Sequence, residues 1–502
     1  MCDRFYLDRL SKSPWINDHS PLQNQRKTAT SPTSIAAHTT TFADHKSAVL
    51  GAAYSLATPN TAITMTHFGV LCPTATGHIN SLLPLAHELT RRGHRVTFFV
   101  FADGFDRVTA AGCDCTIVAE SEFPKGSIAQ FDDRLGELSQ LEALKFGMQY
   151  LAHTYDVSLR HAPAVIQQAG VDALIVDQVS LEGGTIADIL QIPYISFCSA
   201  IVLNADPLVP PITFDWLYNP GLFGRIRNWV GARINHEIIK PLAKTINHHR
   251  QRFGLPLYKY NNDAYSPLLQ ISQQPAEFEF PRSQLPANFH FTGPHHYTSP
   301  RPPIPFPWDQ INPQQPLIYA SLGTLQNRQQ WMFEAIAQAC QDLPVQLVIS
   351  LGNRDRAIPS LPGHPIVVPY APQLELLQQA SLVITHAGLN TTLEALTQGV
   401  PLVAIPITSD QPGVAARIVW SGAGVMIPPH RLTVVKLKQA IIQVLQQPSY
   451  RRNARRLQQA IARSGGVVQA ANLIETAVGE RQNQRLSVNS PPIYASSVDS
   501  QG

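Results

Sequence analysis

The sequence predicts an α/β protein made of two doubly wound, parallel-sheet, Rossmann-like domains that face each other across a cleft. Two alternations of short apolar runs with helical segments indicate this, one over residues 67–199 and one over residues 316–446. Short runs that are apolar on both faces are typical of parallel strands covered by helices. A proline-rich segment between the alternations marks the boundary of two domains.

Size and composition agree with two packed domains and limit the classes of partner. The chain has 502 residues, of which 44% are hydrophobic and 15% charged, so it can bury more core than one small domain needs. A formal net charge of +3, without a basic stripe interleaved with aromatic residues, argues against a nucleic-acid partner. We therefore expect a small-molecule substrate.

The cysteines and the apolar runs indicate the compartment. The six cysteines are scattered without the spacing of metal ligands, and we interpret them as reduced thiols. No apolar run reaches the length of about 18 residues that a membrane span requires. We expect a cytoplasmic protein that can also contact a membrane peripherally through exposed apolar loops.

Residues 1–64 differ from the rest of the chain. Ser, Thr, His, Asn and Gln dominate there, and no periodic apolar pattern persists. A transit peptide is one interpretation, but four aspartates depart from the acid-poor composition of such peptides. We favour a start assigned too early, with the working protein beginning at Met65, and otherwise a disordered extension.

The N-terminal domain is expected over residues 65–293. Its first unit is a strand over 67–73, a helix that ends at Gly93, and a second strand over 94–101. Further strands are expected over 115–119, 172–177 and 193–199. Residues 204–262 combine aromatic residues, Pro–Gly breaks and a polar helix near 232–252; this insertion either shapes an acceptor pocket or simply packs.

The C-terminal domain is expected over residues 317–479, after a proline-rich linker over 294–316 and before a disordered tail over 480–502. Its strands and helices alternate without a break to residue 446. Polar residues follow the predicted strands of both domains directly. Because ligands bind outside the carboxyl ends of parallel strands, we expect these residues to converge on one cleft: His78, Asp177, Ser321, Thr324, Tyr370, His386 and Asp410.

The segment SLVITHAGLNTTLEAL, residues 381–396, predicts an anion site. A buried strand delivers His386, Gly388 permits close backbone approach, and a helix begins near Leu389 with free N–H groups. Glu394 can accept two ribose hydroxyls, while Asn390 and Thr391 contact phosphate or cap the helix. A structural histidine and a solvated glutamate are the alternative, which the ordered spacing to Asp410 and Gln411 disfavours.

Residues 370–411 resemble the donor signature of UDP-dependent family 1 glycosyltransferases, whose fold is GT-B, and the likeness extends from about Thr66 to Gly479. Residues 77–97, GHINSLLPLAHELTRRGHRVT, are similar to the corresponding pattern of bacterial macrolide and zeaxanthin glycosyltransferases. Plant members have tryptophan at the positions of Tyr370 and Leu389, and these departures bear on the identity of the sugar.

The resemblance implies a role for each matching residue. The implied donor contacts are Tyr370 with the uracil, Gln373 with the base or ribose, His386, Asn390 and Thr391 with the diphosphate, Glu394 with the ribose, and Asp410 and Gln411 with the sugar hydroxyls. The turn SLGT resembles the second phosphate loop of the family, so Ser321 and Thr324 are further candidates; an ordinary turn is the alternative.

His78 and Asp177 match the catalytic dyad of the family. His78, whose ordinary pKa near 6.5 permits proton acceptance at neutral pH, is the expected base, and Asp177 orients and stabilises its imidazolium. The reaction is then a single displacement that inverts the anomeric carbon. No Asp-x-Asp pair ends a predicted strand, so we expect neither a metal nor a cofactor, with the UDP-sugar as co-substrate.

The apolar insertion indicates the class of acceptor, and two other functions remain as alternatives. The apolar insertion suggests a lipophilic acceptor with a hydroxyl group, such as a carotenoid, another terpenoid or a polyketide, and glucose is the expected hexose. A UDP-sugar epimerase of the same fold and a non-catalytic auxiliary protein are the alternatives. An NAD dehydrogenase is disfavoured because PTATGH, not GxGxxG, follows the first strand.

Overall fold

The computed structural model describes residues 65–137, 140–296, 303–323, 329–352 and 358–489. The predictions about residues 1–64, about Thr324 and about the last residues of the tail lie outside these ranges. Each of the two alternations seen in the sequence forms one parallel sheet with helices on both faces.

The first alternation and the insertion build the N-terminal domain. Its elements, in chain order, are β1 (His67–Leu71), α1 (Thr76–Arg91), β2 (Arg95–Val100), α2 (Ala102–Ala110), β3 (Asp114–Ile117), α3 (Ser127–Glu137), α4 (Gln140–Ala169), β4 (Ala173–Asp177), α5 (Gly183–Leu190), β5 (Tyr194–Cys198), α6 (Leu222–Arg252), β6 (Gln270–Ser272) and β7 (Phe289–Phe291). Short 3-10 turns lie at Asn261–Ala264 and Ala276–Phe278.

The second alternation builds the C-terminal domain. After a 3-10 turn at Trp308–Gln310 its elements are β8 (Leu317–Ser321), α7 (Gln330–Cys340), β9 (Gln346–Ser350), β10 (Ile366–Val368), α8 (Gln373–Gln379), β11 (Ala380–Thr385), α9 (Leu389–Thr397), β12 (Leu402–Ala404), α10 (Gln411–Trp420), β13 (Gly424–Met426), α11 (Val434–Gln446), α12 (Pro448–Arg463) and α13 (Gly466–Asn489). Another 3-10 turn lies at Pro429–Arg431.

In each sheet the order in which successive strands are added reverses near the centre, between β1 and β4 and between β8 and β11. The N-terminal sheet runs β3-β2-β1-β4-β5-β6-β7 and the C-terminal sheet β10-β9-β8-β11-β12-β13, with parallel pairing throughout. In register, Leu71 of β1 pairs with Val176 of β4, and Ser321 of β8 pairs with Thr385 of β11. The loops after these four strands therefore leave side by side, where open sheets bind ligands.

The final helix returns to the first domain. Buried residues of α13, including Ala470 and Ile474, join the core that Phe68 and Leu82 form on one face of the N-terminal sheet. Arg92 reinforces this contact through hydrogen bonds of 2.7 Å to the side chains of Asn472 and Glu475. The helix continues through residue 489, beyond the point at which the sequence pattern predicts the loss of order.

Periodicity predicts the strands of both sheet centres but not every element. The short strands β6 and β7 and the long helix α4 have no counterpart in the sequence-based prediction. Helix α6 starts ten residues before the predicted polar helix, at Leu222 after Gly221, so Phe223 and Trp229 are helical. None of the described helices is both long and apolar enough to cross a membrane.

Candidate active site

A cavity of about 340 Å³ lies where the carboxyl ends of the two sheets meet. His78 and Ser199 line it from the N-terminal domain, while Asp177 is completely buried behind His78. Every described residue that was predicted to contact the donor also lines this cavity: Ser321, Tyr370, Gln373, His386, Gly388, Asn390, Thr391, Glu394, Asp410 and Gln411. The tertiary structure thus brings residues from separate segments of both domains to one place.

His78, Asp177 and Ser199 form a hydrogen-bonded group. Asp177 ends β4 and Ser199 follows β5 directly, whereas His78 lies in the first turn of α1 and not directly after β1 as predicted. His78 Nδ1 lies 2.8 Å from Asp177 Oδ2 and 2.7 Å from the hydroxyl of Ser199, which itself donates to Asp177 Oδ2 at 2.5 Å. A carboxylate only accepts hydrogen bonds, so Nδ1 carries the proton and Nε2 is the basic nitrogen. The His78 side chain is 24% exposed and reaches the cavity.

The electrostatic environment favours the protonated form of His78. Burial lowers its pKa, but the charge and the hydrogen bond of Asp177, together with the charge of Asp410, raise the pKa above its ordinary value. Asp410 is the N-cap residue of α10, and burial raises the pKa of its carboxyl group, against the opposing effect of His78. In this environment His78 accepts a proton readily, and the resulting imidazolium forms an ion pair with Asp177.

The His386 ring lies between two glycines. A Cβ atom at Gly323 would come within 2.6 Å of the imidazole, and one at Gly388 within 2.5 Å. Gly388 is also the N-cap of α9 and has no side chain with which to cap it, so the first N–H groups of the helix stay available. Burial lowers the pKa of His386 to about 4, so the ring is a neutral hydrogen-bond donor beside these groups.

The backbone is left-handed at two non-glycine residues next to predicted donor contacts. Ala387, with φ of 65°, separates His386 from Gly388, and Ser409, with φ of 59°, precedes Asp410. Such conformations are uncommon outside glycine and persist where the surrounding structure holds them. Here they turn the chain sharply between a strand end and the first turn of a helix.

A second polar group surrounds Glu394 at the side of the cavity. The amide of Gln373 donates to Glu394 Oε2, and its oxygen accepts a hydrogen bond of 3.0 Å from Tyr319. Thr391 Oγ1 lies 3.4 Å from Gln373 Nε2. This arrangement fixes one carboxylate oxygen of Glu394 at the wall of the cavity.

Two predicted donor residues have structural partners as well. The Asn390 side chain donates to Gly77 O and accepts from Gln273 Nε2, each at 2.9 Å, so both of its polar atoms bond the N-terminal domain. Gln411 Oε1 accepts from the backbone N–H groups of Ile407 and Thr408 at 2.8 and 3.0 Å. Its amide nitrogen is then the atom that can reach a ligand.

Comparisons with known proteins agree with the two-domain α/β architecture. A sequence profile described as "UDP-glucoronosyl and UDP-glucosyl transferase" matches residues 156–462. The chain belongs to this family. The zeaxanthin glucosyltransferase of Pseudescherichia vulneris is 33% identical over 421 residues, which is 82% of this chain and 98% of that protein. The enzyme of the same name from Pantoea ananas is 32% identical over 415 residues, 82% of this chain and 96% of its own.

Solved structures confirm the expected fold of this glycosyltransferase. The glycotransferase of kitacinnamycin and the calicheamicin glycosyltransferase CalG4 each have a TM-score of 0.64 at 22% identity. They cover 82% and 83% of this chain and 99% of their own chains. The two facing parallel-sheet domains are therefore a GT-B fold, and the resemblance drawn from residues 77–97 and 370–411 is confirmed.

The structure adds residues to this glycosyltransferase site that sequence reasoning missed. Ser199 follows β5 directly, and Gln273 follows β6 and donates to Ser199 O at 2.5 Å. Ser199, like Asp177, stands at the carboxyl end of a predicted strand. Its position in the sequence could therefore have indicated it as a site residue. Gln273 could not be found in this way, because β6 has only three residues.

Proposed function

We propose that this glycosyltransferase transfers glucose from UDP-glucose, with inversion, to a hydroxyl group of a lipophilic acceptor, and that the acceptor is a hydroxylated carotenoid. The observation that supports the proposal is the hydrogen-bonded group of His78, Asp177 and Ser199, because His78 and Ser199 line the same cavity as His386. The names of the zeaxanthin glucosyltransferases support the choice of sugar and acceptor.

The reaction is a single displacement in which each residue has one task. The acceptor oxygen attacks the anomeric carbon while its proton passes to His78 Nε2. The bond from that carbon to the β-phosphate oxygen breaks, and UDP departs on the opposite face. Asp177 stabilises the imidazolium that forms, as in the His–Asp pair of a hydrolytic triad.

We further propose that no metal ion takes part in the departure of UDP. The neutral imidazole of His386 and the free N–H groups of α9 are positioned to meet the negative charge that develops on the diphosphate. Glu394 and Gln373 bind the ribose hydroxyls, and Asp410 with the amide of Gln411 binds the sugar hydroxyls. Tyr370 stacks on the base.

The test is to incubate the full chain with UDP-glucose, UDP-galactose or UDP-N-acetylglucosamine and a panel of carotenoid diols, other terpenoid alcohols and polyketides. Mass spectrometry detects the products, and NMR gives the anomeric configuration. We expect a β-glucoside of a carotenoid, made without added metal and lost in His78→Ala. Full activity of His78→Ala, retention of configuration, or a changed sugar nucleotide in the absence of acceptor would overturn the proposal.

A further inference from the structure

The first turns of α6 expose a row of large apolar side chains. Leu222, Ile226 and Trp229 follow the helical spacing of four and three residues, with Phe223 and Val230 beside them. Phe223 is 85% exposed and Trp229 65% exposed. We call these five residues the α6 ridge. A contiguous exposed patch of this kind marks an interaction surface rather than ordinary surface variation.

The opposite side of the same turns holds the helix on the protein. Gly224, Asn228 and Gly231 are buried there, and the Trp216 ring packs so closely that a Cβ atom at Gly231 would lie 2.7 Å from it. Asn228 donates to Pro207 O at 3.3 Å. The ridge is therefore the outer face of an anchored helix, and it projects away from the domain.

Arginines flank the ridge, and acidic residues are missing from its surroundings in sequence. Arg225 and Arg233 are exposed, while Arg227 stacks on Trp216, 5.0 Å from the ring centre. No Asp or Glu occurs between Asp215 and Glu237. An apolar face with Trp, Phe and Leu that is bordered by cations is the composition of helices that lie in the interface of an anionic bilayer.

We propose that the α6 ridge docks this protein on a lipid bilayer that contains anionic headgroups. A second copy of the chain is a poorer occupant, because a symmetric contact would bring the arginines of both copies together. A bilayer satisfies both features at once, since it accepts the apolar side chains in its acyl boundary and the arginines at its headgroups.

The ridge is joined to the candidate active site through the insertion. Ser199 and Ala200 line the cavity, and Ile212 O accepts a hydrogen bond of 3.0 Å from Gly413 N on α10. Trp216 stacks on Phe214 and supports α6. Docking would thus hold the domain that carries His78 at the membrane surface. An advantage of docking for catalysis rests on the proposed lipophilic acceptor, whereas the docking itself does not.

The test measures flotation of the full chain with vesicles of phosphatidylcholine alone or mixed with phosphatidylglycerol. We expect binding to the mixed vesicles, weakened about tenfold or more in Phe223→Ser/Trp229→Ser. The matched control is Phe253→Ser/Trp331→Ser, which removes one exposed Phe and one exposed Trp elsewhere and should bind like the parent. Arg225→Glu/Arg233→Glu should lose the preference for phosphatidylglycerol.

Three outcomes would overturn the proposal: no flotation of the parent chain, equal binding by the ridge variant, or a dimer in light scattering that the ridge variant converts to a monomer. Glucosyl transfer to a water-soluble alcohol is measured in parallel. The ridge variant should retain that activity and lose transfer to an acceptor embedded in vesicles. If the parent chain floats and the ridge variant does not, but the parent chain transfers glucose to neither acceptor, the result counts against the proposed function alone.

Discussion

Asn390 donates a hydrogen bond of 2.9 Å from its side-chain amide to the carbonyl oxygen of Gly77, the residue before His78. The same amide accepts a hydrogen bond from Gln273. The first turn of α9, which belongs to the proposed anion site, is thereby held against the first turn of α1, which carries His78. Two hydrogen bonds between the domains therefore hold the proposed base beside the proposed donor site.

Removing the hydrogen bond between Asn390 and Gly77 should lower kcat more than the affinity for the UDP-sugar. We expect Asn390→Ala to reduce kcat about tenfold or more, because small displacements of reacting groups have large effects on rate. Asn453→Ala is the control, since Asn453 also bonds a backbone carbonyl, that of Gly422 at 3.1 Å, outside the cavity. A variant at Asn390 with normal kcat and a raised KM for the UDP-sugar would instead assign this residue to ground-state donor binding.

The pH dependence should report the pKa of His78. The base works in its neutral form, so kcat/KM should rise with pH through a value above about 6.5, the ordinary pKa of histidine. In Asp177→Asn the charge that raises the pKa is gone while burial still lowers it. The rise should then move to lower pH, and the plateau should fall by about 100-fold or more. An unmoved profile would contradict the pairing.

Gly323 offers a test of the glycine contacts around His386. Gly323→Ala adds a methyl group 2.6 Å from the imidazole at a residue with φ of +77°. Gly112→Ala is a matched control, because its φ is +78° and nothing lies within 4 Å of the added atom. Both variants should lose about 1–2 kcal/mol of unfolding free energy from backbone strain.

Only Gly323→Ala should weaken the binding of UDP, by about tenfold or more in isothermal titration calorimetry, since only there is the phosphate-facing imidazole displaced. Equal UDP affinity in the two variants would remove His386 from the donor site.

A buried ion network between the domains should dominate the stability of the interface. Glu279 Oε1 lies 2.5 Å from Arg417 Nη2 and 3.2 Å from Arg282 Nε, and all three side chains are buried. Glu279→Ala leaves two buried guanidinium groups unpaired and should cost about 3–5 kcal/mol in urea unfolding. Asp342→Ala, which breaks the exposed pair with Lys438, should cost less than about 1 kcal/mol. Similar losses in the two variants would refute this.

The sequence by itself determined the fold and pointed to residues that line the candidate site. Buried runs such as ALIVD and SLVIT are apolar on both faces, which only a helix-covered parallel sheet accommodates, so the positions after them had to lie at one edge. His78, Asp177 and His386 could be named for that reason. The local pattern from His386 to Glu394 likewise encodes a strand end, a turn and a helix start, which together make up the proposed anion site.

The tertiary structure alone decided which of these residues contact each other. Ser199 and Gln273 join the group around His78, and Asn390 contacts the opposite domain, because of pairings between segments more than 100 residues apart. The α6 ridge is a similar case, since the sequence shows aromatic residues near Trp216 but not which side of the helix they occupy. The hydrophobic periodicity of a segment shows which of its faces are buried. Contacts across the cleft depend instead on how the two sheets are joined.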